Sequence, residues 1–280
     1  MNHSVELESA SRLHLGATAL ALAALLLALA PEAQAGQLND TGQITCHNNT
    51  GAGTGTVSPG TPNPVAAGFE DQDCARGAAA ADALGLMTKQ GASSTQGRDY
   101  TKISNAGEDL PASATLGSGA SDWACTRDNI TGLVWEVKVN DAAHLRHVDH
   151  TYTWYDTNGA INGGNAGSIG SDTCNGTLPS NQCNTSAFRD AVNAAGLCGA
   201  TDWRLPTDFE FLGLMDFSTN ATPAIDSAYF PNTPNSTPQW TSVSYTVPAS
   251  WAWYARFGNG HIDIRQKSEG SVVRLVRHAQ

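Results

Sequence analysis

Residues 252–277, AWYARFGNGHIDIRQKSEGSVVRLVR, decide the fold class of this chain. Trp251, Trp253, Ala255 and Phe257 alternate with Ala252, Tyr254 and Arg256, and the GNG at 258–260 then turns the chain. Ile262 and Ile264 next alternate with His261, Asp263 and Arg265. Period two sends successive side chains to opposite faces of a strand, so this is an antiparallel hairpin with one apolar and one polar face. A second turn near Gly270 leads into SVVRLVR, read as a third strand.

Upstream of the hairpin the pattern changes to short helices and aromatic strands. Thr207 followed three residues later by Glu210 is a capping box, with Pro206 before it and Phe211, Leu212, Leu214 and Met215 behind it, which predicts a helix at about 208–216. Phe188, Val192, Ala195 and Leu197 predict another across 187–197. ITGLVWEVK at 130–138 reads as a turn feeding a strand, and TYTWYD at 151–156 as a short aromatic strand or a strand-to-helix entry. A Gly-, Asn- and Ser-rich loop separates TYTWYD from the first of these helices. This order of elements predicts a mixed α+β domain over residues 122–280, with an antiparallel C-terminal sheet and two short helices.

The first 121 residues are of two kinds. Residues 15–30 are an apolar Leu and Ala run, followed by Pro31 and the small-x-small pattern Ala33-Gln34-Ala35, so residues 1–35 read as a signal peptide cleaved after Ala35. No Cys follows at Gly36, which gives no indication of a lipid anchor, and no second apolar run is long enough to span a bilayer. Residues 36–121 are rich in Gly, Ala, Ser, Thr and Asn, with isolated apolar side chains and one helical pattern at 74–87. Such a stretch cannot bury a core of its own and is expected to wrap the following domain as a disulfide-tied arm.

All six cysteines, Cys46, Cys74, Cys125, Cys174, Cys183 and Cys198, lie beyond residue 35. An even count in an oxidising compartment reads as three disulfides. Fifteen pairings are formally open. Cys174 and Cys183 lie close enough to pair locally, and a Cys46–Cys74 pair leaves Cys125 for Cys198.

Charge and missing motifs narrow the function. Fifteen Lys and Arg against twenty-six Asp and Glu give a formal charge of −11 over 280 residues, with no basic tail, so nucleic acid is a poor partner. The chain has no G-x-S-x-G, H-E-x-x-H, phosphate-binding loop or dinucleotide glycine pattern, and it is not expected to be an enzyme. His144, His147 and His150 recur every three residues but lack the usual ligand spacings, so no metal site and no cofactor are expected. Loops carrying Asp122, Asp128, Asp149, Asp156 and Asp172 keep a structural calcium open.

The motifs TGLVWEVK (131–138), TYTWYD (151–156), AAGLCGATDWRLPT (194–207), PAIDSAYFPNT (223–233), QWTS (239–242) and the terminal hairpin occur in one order. That series resembles the Lcl C-terminal domain family over roughly residues 120–278. The resemblance implies a C-type-lectin-like architecture, secretion or surface display in a bacterial envelope, and for some members adhesion through sulfated polysaccharides. The family often has a Cys between its last two Val-Arg pairs, where this chain has Leu275.

Together these readings predict a secreted, periplasmic or cell-surface binding module for a surface polysaccharide or another surface macromolecule. The alternative is an envelope structural or assembly protein that binds a protein partner. The expected ligand face is the polar side of the hairpin, Tyr254, Arg256, His261, Asp263 and Arg265, because Tyr offers a flat apolar surface and Arg a planar donor fork for sulfate or carboxylate. The same residues also suit an ordinary solvated sheet face with cross-strand ion pairs.

Overall fold

A computed structural model describes residues 39–42, 77–218 and 221–279. The expected signal segment and the expected Cys46–Cys74 pair lie outside the described residues. The described chain is an α+β fold with two antiparallel sheets. The larger has strand order β2 (Asp109–Leu110), β1 (Tyr100–Ser104), β3 (Trp123–Asp128), β4 (Leu133–Glu136) and β8 (Val276–His278). The smaller has order β5 (Gln239–Ser244), β6 (Trp251–Arg256) and β7 (His261–Gln266). The α-helices among the described residues are α1 (Gly77–Ala83), α2 (Thr185–Ala195) and α3 (Asp208–Leu214).

The helices start where their local chemistry says they should. Asn184 caps α2 by accepting from the Ala187 N–H, and Gly196, at φ 64, closes it in the left-handed region that a Cβ disfavours. The capping box of α3 is formed, with Thr207 Oγ1 accepting from the Glu210 N–H and the Glu210 carboxylate from the Thr207 N–H. In DWRLPT, Trp203 is buried and donates to the Leu197 carbonyl. Arg204 forks onto Glu210, and Asp202 pairs with Arg277.

Two departures from the sequence reading concern strands. YTKIS at 100–104, in the segment read as arm, is buried at all five positions and pairs with β3 from Tyr100↔Asp128 onward. Its polar residues hid it: Lys102 donates to the Ala114 carbonyl and lies 3.9 Å over the Trp123 ring, so a lysine packs here as core. The second concerns SVVRLVR, which does not extend the hairpin. Val272 bridges Gln239, and β8 pairs with β4 through Trp135↔Val276, so the chain crosses to the larger sheet. Val272, Val273, Arg274, Leu275 and Val276 are all fully buried, and burial on both faces erases the alternation that marks a half-exposed strand. β5, flanking β6, takes the place expected for the third strand.

Two core clusters result. One gathers Trp154, Phe188, Trp203, Trp240, Ala252, Tyr254, Val273 and Leu275, so Leu275 occupies its position as a packed apolar side chain. The other gathers Tyr100, Trp135, Phe211, Phe230, Ala255, Phe257 and Val276. Cys125–Cys198 ties β3 to the turn after α2, and Cys174–Cys183 closes the loop before it, as the pairing argument expected. A carboxylate of the domain holds the arm on, Asp226 accepting from Ser93 Oγ, the Ser94 N–H and Ser94 Oγ, and within the arm Asp99 accepts from the Gln90 and Gly91 N–H groups.

Candidate functional site

The β6–β7 hairpin presents its residues in the register that period two requires. Ala252 faces Arg265, Tyr254 faces Asp263 and Arg256 faces His261, so the five expected ligand residues do share one side of the ribbon. That side is not one exposed row. Tyr254 is only 8% exposed and sits in the first core cluster, opposite Trp240 of β5. The expectation of an open Tyr254 is corrected for a physical reason: β6 is the central strand of its sheet, and β5 brings Trp240 alongside it.

The remaining four residues line the margin. His261 and Asp263 are exposed, and Arg256 and Arg265 are partly exposed. The Arg256 guanidinium lies 5.6 Å from the Tyr254 ring centre, and among the described residues its Nε has no hydrogen-bond partner. Arg265 pairs with Glu269 at 2.7 Å, and Asp263 accepts from the Ile264 N–H. Asn259 Nδ2 lies 3.2 Å from His261 Nδ1.

The aromatic surface lies on the opposite side. Trp251 and Trp253 are partly exposed, Ile264 stands across from Trp253, and the Tyr245 ring meets Trp253 edge to face at 5.6 Å. Beyond them Val247 is 80% exposed. The second core cluster covers this side only towards Ala255 and Phe257, where Phe211 of α3 packs 5.8 Å from Phe257. Alternation had placed Trp253 on the apolar side and hence inside; the helix that covers that side is short and leaves the Trp251 end open.

The loop at 156–167 adjoins this aromatic surface. Ser244 Oγ donates to the Asn162 carbonyl, and Lys267 Nζ donates to the carbonyls of Asn162 and Asn165. Burial pushes Lys267 down to about 8.

The three histidines form no helix face. They lie in consecutive turns, with His144 Nδ1 accepting from the Arg146 N–H and the His147 and His150 rings meeting at 4.9 Å. Burial, with Arg146 and His147 respectively beside them, lowers the pKa of His144 and of His150 and favours neutral rings. Among the described residues no group of three His, Cys, Asp or Glu side chains is placed to hold a metal ion. Asp122, Asp128 and Asp156 accept from backbone N–H groups in their own turns, and Asp172 accepts from the N–H of Asn181, nine residues on.

No helix among the described residues is long and apolar enough to cross a membrane. The family model described as Lcl C-terminal domain matches residues 124–277. No curated protein and no solved structure shows significant similarity to the chain.

Proposed function

The chain belongs to the Lcl C-terminal domain family, and from that premise we propose that it is an exported, non-catalytic binding module that recognises a surface polysaccharide. Family membership and two disulfides fit an extracellular binding module. The observation that carries the finer reading is the partly exposed aromatic group Tyr245, Trp251 and Trp253 on the hairpin. Aromatic faces stack on the apolar C–H faces of sugar rings, and a flat hairpin presents them without a deep pocket. Arg256, His261, Asp263 and Arg265 lie on the reverse side of the ribbon and take no part in this aromatic surface. The lectin-like architecture and a need for neither cofactor nor metal belong to the same proposal.

The test is a glycan array probed with the oxidised full chain, with and without EDTA, spanning neutral, uronic-acid and sulfated polymers. Selective binding that survives EDTA and disappears in a Trp251→Ala, Trp253→Ala double variant is the expected result. Folded protein that binds no glycan overturns the reading and directs the search to protein partners, for which the open edge of β7 is the first surface to probe.

A further inference from the structure

On the other side of the 156–167 loop lies a cleft of about 370 Å³, walled by α2, the DWRLPT connection and β5. Its volume falls at the small end of ligand clefts, which run from about 300 to 1,000 Å³. Ile161, 46% exposed, and Leu205 give it apolar surface, and Asp156, Ser186, Arg189 and Ser242 give it polar groups.

The hydrogen-bond inventory of these polar groups is incomplete in an informative way. Arg189 spends its Nε and Nη2 on Asp190, at 2.8 Å each, while its Nη1 stands 3.7 Å from Asp156 Oδ2. That distance is too long for a hydrogen bond. Asp156 Oδ1 accepts from the Asn158 N–H, and Oδ2 and Arg189 Nη1 stand side by side with no hydrogen bond to another of the described residues. Among the described residues the Ser242 hydroxyl has no partner either. A group that donates and accepts at once, a hydroxyl, fits between Asp156 and Arg189, and Ser242 offers a second such contact.

The charge balance selects against ions. Arg189 is matched by Asp156 and Asp190, and Arg204 at the cleft wall is already forked onto Glu210, in a chain of formal charge −11. An anion meets more carboxylates than free guanidiniums, and a cation meets two arginines.

We infer that this cleft is a subsite for one uncharged sugar unit, held through vicinal hydroxyls by Asp156, Arg189 and Ser242 with its C–H face on Ile161 and Leu205. The inference rests on the polysaccharide reading above and narrows it to neutral glycans. Because Asn162, in the loop that carries Ile161, accepts from Ser244 beside Tyr245, the subsite and the aromatic surface flank one loop, as a polymer spanning both requires.

Calorimetric titration of the full oxidised chain with malto-, cello-, manno- and galacto-tetraose, heparin and polygalacturonate tests it. Binding of at least one neutral tetrasaccharide is expected, weakened about tenfold or more by Asp156→Asn and by Arg189→Met, the latter at a partly exposed helix position if the former disturbs its turn. Neutral binding unchanged in both folded variants overturns the cleft and leaves the polysaccharide reading standing. Binding confined to heparin or polygalacturonate overturns the neutral class and also leaves that reading standing. No binding to any of the six probes, in the titration and on the array alike, overturns both.

Discussion

The Lys267 ammonium lies 4.2 Å from the centre of the Trp154 ring and donates to the carbonyls of Asn162 and Asn165 at 2.8 and 2.6 Å. A buried lysine with no carboxylate beside it among the described residues is thus held by carbonyl dipoles and an aromatic face, and it fixes the loop that separates the cleft from the aromatic surface. It is 1% exposed.

This arrangement sets a pH dependence. Burial lowers the Lys267 pKa from 10.5 to about 8, so between those values the folded chain binds fewer protons than the unfolded one. The cost of burying the charge is fully present below about pH 8 and is relieved as pH rises through that window. Urea unfolding from about pH 7 to about pH 10 is expected to show stability rising more steeply in the native chain than in Lys267→Met. Parallel curves would contradict the assignment.

At the α3 start stability again rises with pH, but in the acid range and because the charged form is the favoured one. Burial pushes the Glu210 carboxyl up, but hydrogen bonds from Arg204 and from the Thr207 N–H, with the Arg204 charge, outweigh it and leave the pKa below its usual 4.5. Its contribution is present above that value and is lost as pH falls through the folded pKa. Thermal melts in mildly acidic buffer should show the native chain losing more stability than Glu210→Gln, and Thr207→Ala should cost about 1 kcal/mol at neutral pH.

The two disulfides among the described residues differ in the loops they close, with sequence separations of 73 for Cys125–Cys198 and 9 for Cys174–Cys183. Chain-entropy arguments assign the longer loop about 4 kcal/mol and the shorter about 2.5 kcal/mol. A Cys125→Ala, Cys198→Ala variant is therefore expected to melt below a Cys174→Ala, Cys183→Ala variant in differential scanning calorimetry; the reverse order would count against the entropic account.

Tyr254 and Arg256, neighbours on one side of β6, should separate cleanly by truncation. Tyr254→Ala opens a cavity in the first core cluster and should cost about 3 kcal/mol, whereas Arg256→Ala should cost less than about 1 kcal/mol. Chemical denaturation reads both, and equal losses would return Tyr254 to the surface.

Much of the fold was legible because its signals are local. The hairpin, the capping box at Thr207 and Glu210, and the pairing of Cys174 with Cys183 each involve residues within one turn, one ribbon or one loop. β1 was illegible because Lys102 is buried by a tryptophan and a carbonyl some twenty and twelve residues away in sequence. The cleft was illegible because Asp156, Arg189 and Ser242 come from three separate segments, and none forms a motif with the others.

The sequence by itself determined which side chains of the hairpin share a face, since Cβ atoms alternate along a strand whatever lies nearby. It also carried the ordered motifs of the family and the α+β order of elements. Only the tertiary structure decided that Tyr254 is inside and Trp251 and Trp253 reach solvent, and that the last strand leaves the hairpin for β4. The reason is that exposure belongs to a face together with whatever packs on it, and here that covering comes from β5 and α3, which carry no part of the alternating pattern they overrule.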